Sequence, residues 1–367
     1  MNINYSENAY GLVLAGGGAK GAYQLGAWKA MKEMNIAFSA VAGVSIGAIN
    51  GAFIVADDYE NAYELWKNVT VDKGVKIEND LKDPENLFSS KNYPVLLKEI
   101  IRNGGIDASP TREYLSQYLD EKKVRESTVP LGFVAYHLSA LKPLEVFVED
   151  IPENELIDYI LASAKFPGVS NIGPEGEWFL DGGAYDNAPI SLLRKRGINR
   201  IIVIDISSIK GIAHQEDFSC AEVVYIRPYD IDELGASFDF DEEMTEKRMK
   251  LGYLDANKSF GKLAGNIFCF KPDVFTAFIE HYGCETVYEL ENLAFKLGLE
   301  RAKIYDEDEF MTSLKALYHE KKESEQKAEA EENKIIGRLK RTIKHQLSYL
   351  KNDYELAFSV LEEKAEV

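Results

Sequence analysis

An α/β fold built on a parallel sheet is what the first fifty or so residues predict, from three observations. The apolar run Tyr10–Ala15 ends in glycines, apolar residues recur at helical spacing through Ala22–Met34, and a second apolar run, Phe38–Val44, stops at a serine. A short apolar run closed by glycine reads as a buried strand, while the spacing of Leu25, Trp28, Ala30 and Met31 reads as a helix. The apolar stretch Ile46–Ala56 then leaves the serine as a second helix. Strand, glycine loop, helix, strand, serine, helix is a βαβα succession, which closes by laying its strands side by side in parallel.

Further along, residues 57–128 read as a helical insert, a lid or side wall, with amphipathic pieces at Ala62–Lys67, Val95–Ile101 and Tyr114–Leu119. Leu131–Leu138 and Leu144–Val148 read as paired strands, Glu153–Ala164 as a helix, Trp178–Leu180 as a short strand and Pro189–Arg196 as a helix. Ile198–Ile206 is a near-continuous apolar strand, and Val223–Ile226 suits a sheet edge. The organisation expected is a catalytic domain over 9–210, its sheet reaching about 229, a mainly helical region over 230–319, and a charged linker and amphipathic tail over 320–367. In that tail Ile336, Leu339, Ile343, Leu347, Leu350, Tyr354, Ala357 and Leu361 fall three and four apart. Such a stripe suits packing on its own domain, on a second copy as an oligomer contact, or peripherally on a membrane.

Composition removes several function classes. A formal net charge of −19 opposes binding to nucleic acid and broad attraction to an anionic membrane. Cys220, Cys269 and Cys284 are odd in number and form no CxxC pair, which suits a reducing compartment. The first residues lack the basic and apolar parts of a signal peptide, and no apolar run reaches the roughly 20 residues of a spanning helix. The expected location is cytoplasmic, with any membrane contact peripheral.

The chemistry centres on Gly43-Val44-Ser45-Ile46-Gly47. A serine hydroxyl attacks a carbonyl only when the fold exposes it, a base takes its proton and donors hold the oxyanion. Gly43 and Gly47 suit the cramped strand-to-helix turn that exposes such a serine. Upstream, Gly16-Gly17-Gly18-Ala19-Lys20-Gly21 suits a loop whose N–H groups face an anion. Gly16-x-Gly18-x-x-Gly21 also matches a dinucleotide fingerprint, but the second strand ends on Ser45 without the acid that would hold a ribose. For the base, Asp181 is delivered by the apolar Trp178–Leu180 into the turn Gly182-Gly183. Desolvation would raise its pKa toward that of a working base. An inert Asp-Gly turn is the competing reading, weakened by Asn187 and Pro189 downstream.

Together these motifs resemble the patatin-like phospholipases. The matching segments are the glycine loop 16–21, Gly43–Gly47, Asp181-Gly182-Gly183 with Asn187 and Pro189, and Ala162-Ser163 with Pro167, all within residues 9–210. Lys20 departs from a common arginine, keeping the charge without the guanidinium fork. The resemblance implies a three-layer α/β/α sheet and a Ser45–Asp181 dyad without histidine. It also implies hydrolysis of phospholipid, lysophospholipid or neutral-lipid acyl esters, with no metal or cofactor. Ser45 attacks as Asp181 takes its proton; Gly17, Gly18 and Ala19 hold the oxyanion, and Lys20 orients the loop, meets a lipid phosphate or stays solvated. The alternatives are a small-ester carboxylesterase with a triad through His214, and a non-catalytic lipid-binding protein on the same fold.

Overall fold

The computed structural model describes residues 9–74, 76, 106–138, 140–165, 169–170, 174, 179–207, 221–335 and 354. The expected piece Val95–Ile101, Trp178, Pro167, Cys220 and His214 lie outside these residues. So do the stripe positions of the tail, Tyr354 excepted. The chain divides into two compact units, residues 1–259 and 260–367.

The first unit is a mixed α/β fold. The strands of its main sheet are β1 (Tyr10–Leu14), β2 (Phe38–Val44), β3 (Leu131–His137), β4 (Lys142–Phe147), β5 (Phe179–Asp181), β6 (Arg200–Ile204) and β7 (Glu222–Ile226). They lie in the order β4-β3-β2-β1-β6-β7, with β5 also paired to β3. All neighbouring pairs from β3 to β7 are parallel, while β4 and β5 run antiparallel to β3. Strand β7 takes the sheet edge, as expected.

Helices cover both faces. Leu192 and Leu193 of the short helix Ile190–Arg194 pack on Val13, Ala42, Val134 and Val203. On the other face Gly51, in α2 (Ile46–Val55), sits against Val41, Leu14 and Leu131. Helix α1 (Ala22–Glu33) is buried at nine of twelve positions, more than one amphipathic face requires. The reason is α3 (Glu242–Ser259), which crosses it. Gly26 lies against the Met249 backbone and Gly252 against the Tyr23 carbonyl, so that a Cβ on either would clash. Helix α3 thus belongs to the first unit, and not to a separate helical region beginning at 230.

The second unit has its own core of Phe268, Phe270, Phe278, Leu290, Phe310 and Leu314, among others. Its long helix Glu307–Ile335 buries Phe310, Met311, Leu314 and Tyr318. Tyr354 also packs on this core, with the Lys296 ammonium 4.6 Å from its ring centre.

Candidate active site

Strand β3 is the ruler on which the site is laid out. Strand β4 occupies one edge of it along Gly132–His137. The other edge carries β2 as far as the pair Val44↔Val134, and then β5 from the pair Asp181↔Ala135. Ser45 follows Val44, so the serine and the aspartate are delivered to adjacent positions of one strand edge. Ser45 stands near enough to Asp181 to act on its carboxyl.

The turn at Ser45 is strained, with φ 56° and ψ −125°. Such a backbone costs about 1–3 kcal/mol for a residue with a side chain, and it throws the side chain clear of strand and helix. Only glycine fits on either side: a Cβ on Gly43 would strike the Gly47 carbonyl, and one on Gly47 the Leu14 carbonyl.

Asp181 Oδ1 also accepts from the Gly183 N–H at 2.7 Å. Burial raises the Asp181 pKa above its ordinary value, and the hydrogen bonds from Ser45 and Gly183 oppose part of that rise. Gly182 is packed against the Val134 carbonyl, which leaves no space for a side chain there.

Residues at and just past the end of one helix hold both members of the pair. Ser163 closes the helix Leu156–Ser163 and is fully buried. Its Oγ accepts from the Ser45 N–H at 2.9 Å and donates to the Val134 carbonyl at 2.5 Å. Two residues on, the Lys165 carbonyl accepts from the Asp181 N–H at 2.7 Å. Ser163→Ala is therefore expected to strip two buried groups of their partner, destabilising the unit by about 1–3 kcal/mol. Labelling of Ser45 by a fluorophosphonate should slow with it; thermal unfolding and labelling rate measure the two effects.

The glycine loop is tied at nearly every position. Gly16 donates its N–H to the Asn187 carbonyl at 3.3 Å, and its own carbonyl accepts from Asn187 Nδ2 at 3.2 Å. Behind the loop a buried polar chain runs from Trp66 Nε1 to Asn50 Oδ1 and from Asn50 Nδ2 to Gln24 Oε1. Gln24 Nε2 then donates to the Ala15 carbonyl at 2.7 Å, and Asn50 Nδ2 also reaches the Gly21 carbonyl at 3.0 Å. A Cβ on Gly16 would lie 3.2 Å from that of Ser45, which puts the loop beside the serine.

Two expectations about this loop change. The Ala19 N–H donates to the Ser237 carbonyl at 2.7 Å, and the Lys20 N–H to Gly17 at 3.3 Å, so neither points at a ligand. Gly16, Ala19, Lys20 and Gly21 are buried while Gly17 and Gly18 are partly exposed. Among the described residues, no acceptor meets the N–H of Gly17 or Gly18. The Lys20 side chain is 3% exposed, which excludes the solvated reading. Burial lowers its pKa; Asp232 opposes this and Arg248 adds to it.

Among the described histidines, none hydrogen-bonds the pair. His137 stacks on Phe179 at 4.9 Å, and His281 pairs with Glu307 in the second unit.

This α/β unit brings a serine at a strand–helix elbow, an aspartate and a glycine loop to one place. Residues 12–194 match the family model for patatin-like phospholipase, and over this stretch the chain belongs to that family. It is 27% identical over 205 residues to lysophospholipase NTE1 of Kluyveromyces lactis, covering 56% of this chain and 13% of that protein. Against the Aspergillus terreus lysophospholipase nte1 it is 29% identical over 203 residues, covering 54% and 12%. Against rat patatin-like phospholipase domain-containing protein 7 it is 24% identical over 204 residues, covering 55% and 14%. The chain thus spans about an eighth of the length of the curated relatives it matches. Among solved structures, VipD from Legionella pneumophila aligns with a TM-score of 0.42 at 15% identity, covering 96% of this chain and 84% of VipD.

Proposed function

We propose that the chain is a serine acyl hydrolase acting on fatty-acyl esters of phospholipids or lysophospholipids. The observation that carries this is the delivery of Ser45 and Asp181 to adjacent positions of one strand edge, with Gly16 of the glycine loop against Ser45. Membership in the patatin-like family and the names of the lysophospholipase relatives support the lipid class.

In this reading Asp181 takes the Ser45 proton as Oγ attacks the ester carbonyl, and Gly17 and Gly18 donate to the oxyanion. Such a donor contributes about 2.7–4 kcal/mol to lowering the barrier. The alcohol or lysolipid leaves with a proton returned from Asp181. Water, activated by the same carboxylate, then releases the fatty acid. Wild type and Ser45→Ala, each incubated with a panel of phospholipids, lysophospholipids, neutral lipids and short-chain esters, test the reading. Fatty acid released by the wild type alone is the result expected. Equal release by both proteins would sink it.

The tail is proposed to pack on its own unit, since Tyr354 already does so. Truncation after Glu320 keeps the buried positions of the preceding helix. It is expected to lower the melting temperature of the second unit. Loss of vesicle pelleting with unchanged melting would instead mark the stripe as a membrane contact.

A further inference from the structure

Arg248 lies on α3, past the end of the family match, and its side chain is fully buried. A guanidinium out of water needs acceptors for its fixed fork of donors. Arg248 finds three main-chain carbonyls, donating from Nε to Leu234 at 2.7 Å, from Nη1 to Asp239 at 2.7 Å and from Nη2 to Ala236 at 3.3 Å. The Asp239 carboxylate stands 3.7 Å from Nη2. Burial pushes the guanidinium down to about 10, so it stays cationic at neutral pH.

All three carbonyls belong to one turn, Leu234–Asp239. The turn bends at Gly235, whose φ of 65° suits glycine, and it presents the Ser237 carbonyl to the glycine loop. That carbonyl accepts the Ala19 N–H and lies so close to Gly18 that no side chain would fit between them. The charge of Asp232, just before the same turn, acts on Lys20, the next residue, and opposes the lowering of its pKa by burial. The close crossing of α1 and α3 at Gly26 and Gly252 fixes the platform from which Arg248 reaches.

We propose that Arg248 is a positioning residue for the oxyanion loop: it holds the Leu234–Asp239 turn so that Ser237 captures the Ala19 N–H, which aims the Gly17 and Gly18 N–H groups beside Ser45. The proposal rests on the reading of Ser45 as nucleophile. A glycine loop samples many conformations when untethered, and oxyanion donors act by being fixed before charge develops. The clamp therefore acts on the transition state and not on substrate binding.

The test uses the full chain with Arg248→Met, Arg248→Lys and, as a perturbation of the turn that leaves the arginine in place, Gly235→Ala. The readouts are kcat and KM on a soluble short-chain ester, the affinity of a trifluoromethyl ketone, which is a tetrahedral oxyanion only when bound, and thermal unfolding. For Arg248→Met we expect kcat to fall roughly 10- to 100-fold, with KM within about twofold, and ketone affinity to fall by the same factor. Arg248→Lys, with a point charge for a three-way fork, should fall between, and Gly235→Ala should move in the same direction. Should Arg248→Met not fold, the other two variants decide. Folded variants with unchanged ketone affinity overturn the proposal, as does a loss confined to KM. A wild type that neither turns over ester nor reacts with fluorophosphonate defeats the hydrolase reading alone. Amide exchange over residues 16–21 then decides on the clamp: acceleration in the variants sustains it, and unchanged exchange refutes it.

Discussion

Ser45→Ala is expected to reduce ester hydrolysis roughly 10⁴- to 10⁶-fold, the scale seen when a serine nucleophile is deleted. The other hydroxyl at the elbow, Ser163, is fully buried and already engaged with the Ser45 N–H and the Val134 carbonyl. The same variant should no longer be labelled by a fluorophosphonate, whereas peptide mapping of the wild type should place the adduct on Ser45. Because alanine leaves the backbone at φ 56° as strained as before, the melting temperature should barely move. An adduct on a different serine, or turnover that survives the substitution, would remove the nucleophile assignment.

Asp181→Asn is expected to lower kcat by about 10⁴-fold or more, because the amide keeps the shape and the hydrogen bond from Gly183 but takes no proton. The raised pKa gives this prediction a pH signature. A base works only when ionised, so wild-type activity should fall on the acid side as pH drops through a value above the ordinary carboxylate range. The effect on stability has the opposite sense. A carboxyl whose folded pKa exceeds its unfolded pKa contributes stability that is complete below the unfolded value and lost as pH rises through the folded one. Above the folded pKa the ionised Asp181 is therefore a cost, and there the asparagine variant should be the more stable protein. That gain should vanish in acid. His137→Ala, which alters the ring stacked on Phe179 without touching the pair, should keep most of the activity. If it is as inactive as Asp181→Asn, the base has been misassigned.

The parts of the fold visible in the sequence are those written in apolar periodicity and glycine. Phe38–Val44 has the same bounds as read and as folded, and the helix expected over Ile46–Ala56 ends one residue earlier. The serine elbow, the glycine loop and the aspartate are conspicuous because each needs a residue type that little else can replace. The supports of the site were less visible. Gln24, Asn50 and Trp66 are polar or mixed residues buried in a chain of hydrogen bonds, and periodicity scores only the apolar side of burial. Helix α3 falls in a stretch that the sequence marks only as mainly helical, yet Gly252 lets it approach α1 at main-chain distance and Arg248 is buried by satisfying carbonyls. The two corrected loop residues share that origin. Neither the direction of the Ala19 N–H nor that of the Lys20 side chain can be read without Ser237 and Asp232, more than 200 positions away.

The handover from β2 to β5 along one edge of β3 also bears on motion. Ser45 and Asp181 are indexed to Val134 and Ala135, neighbours in one strand, so any displacement of β3 carries both together. The glycine loop has no such index, since it follows β1, which meets β3 only through β2. Breathing between β1 and β2 would leave Ser45 and Asp181 at their distance and draw the glycine loop away from them. The pair is the stiff half of the site, and the alignment of the loop depends on tethers distant in the chain.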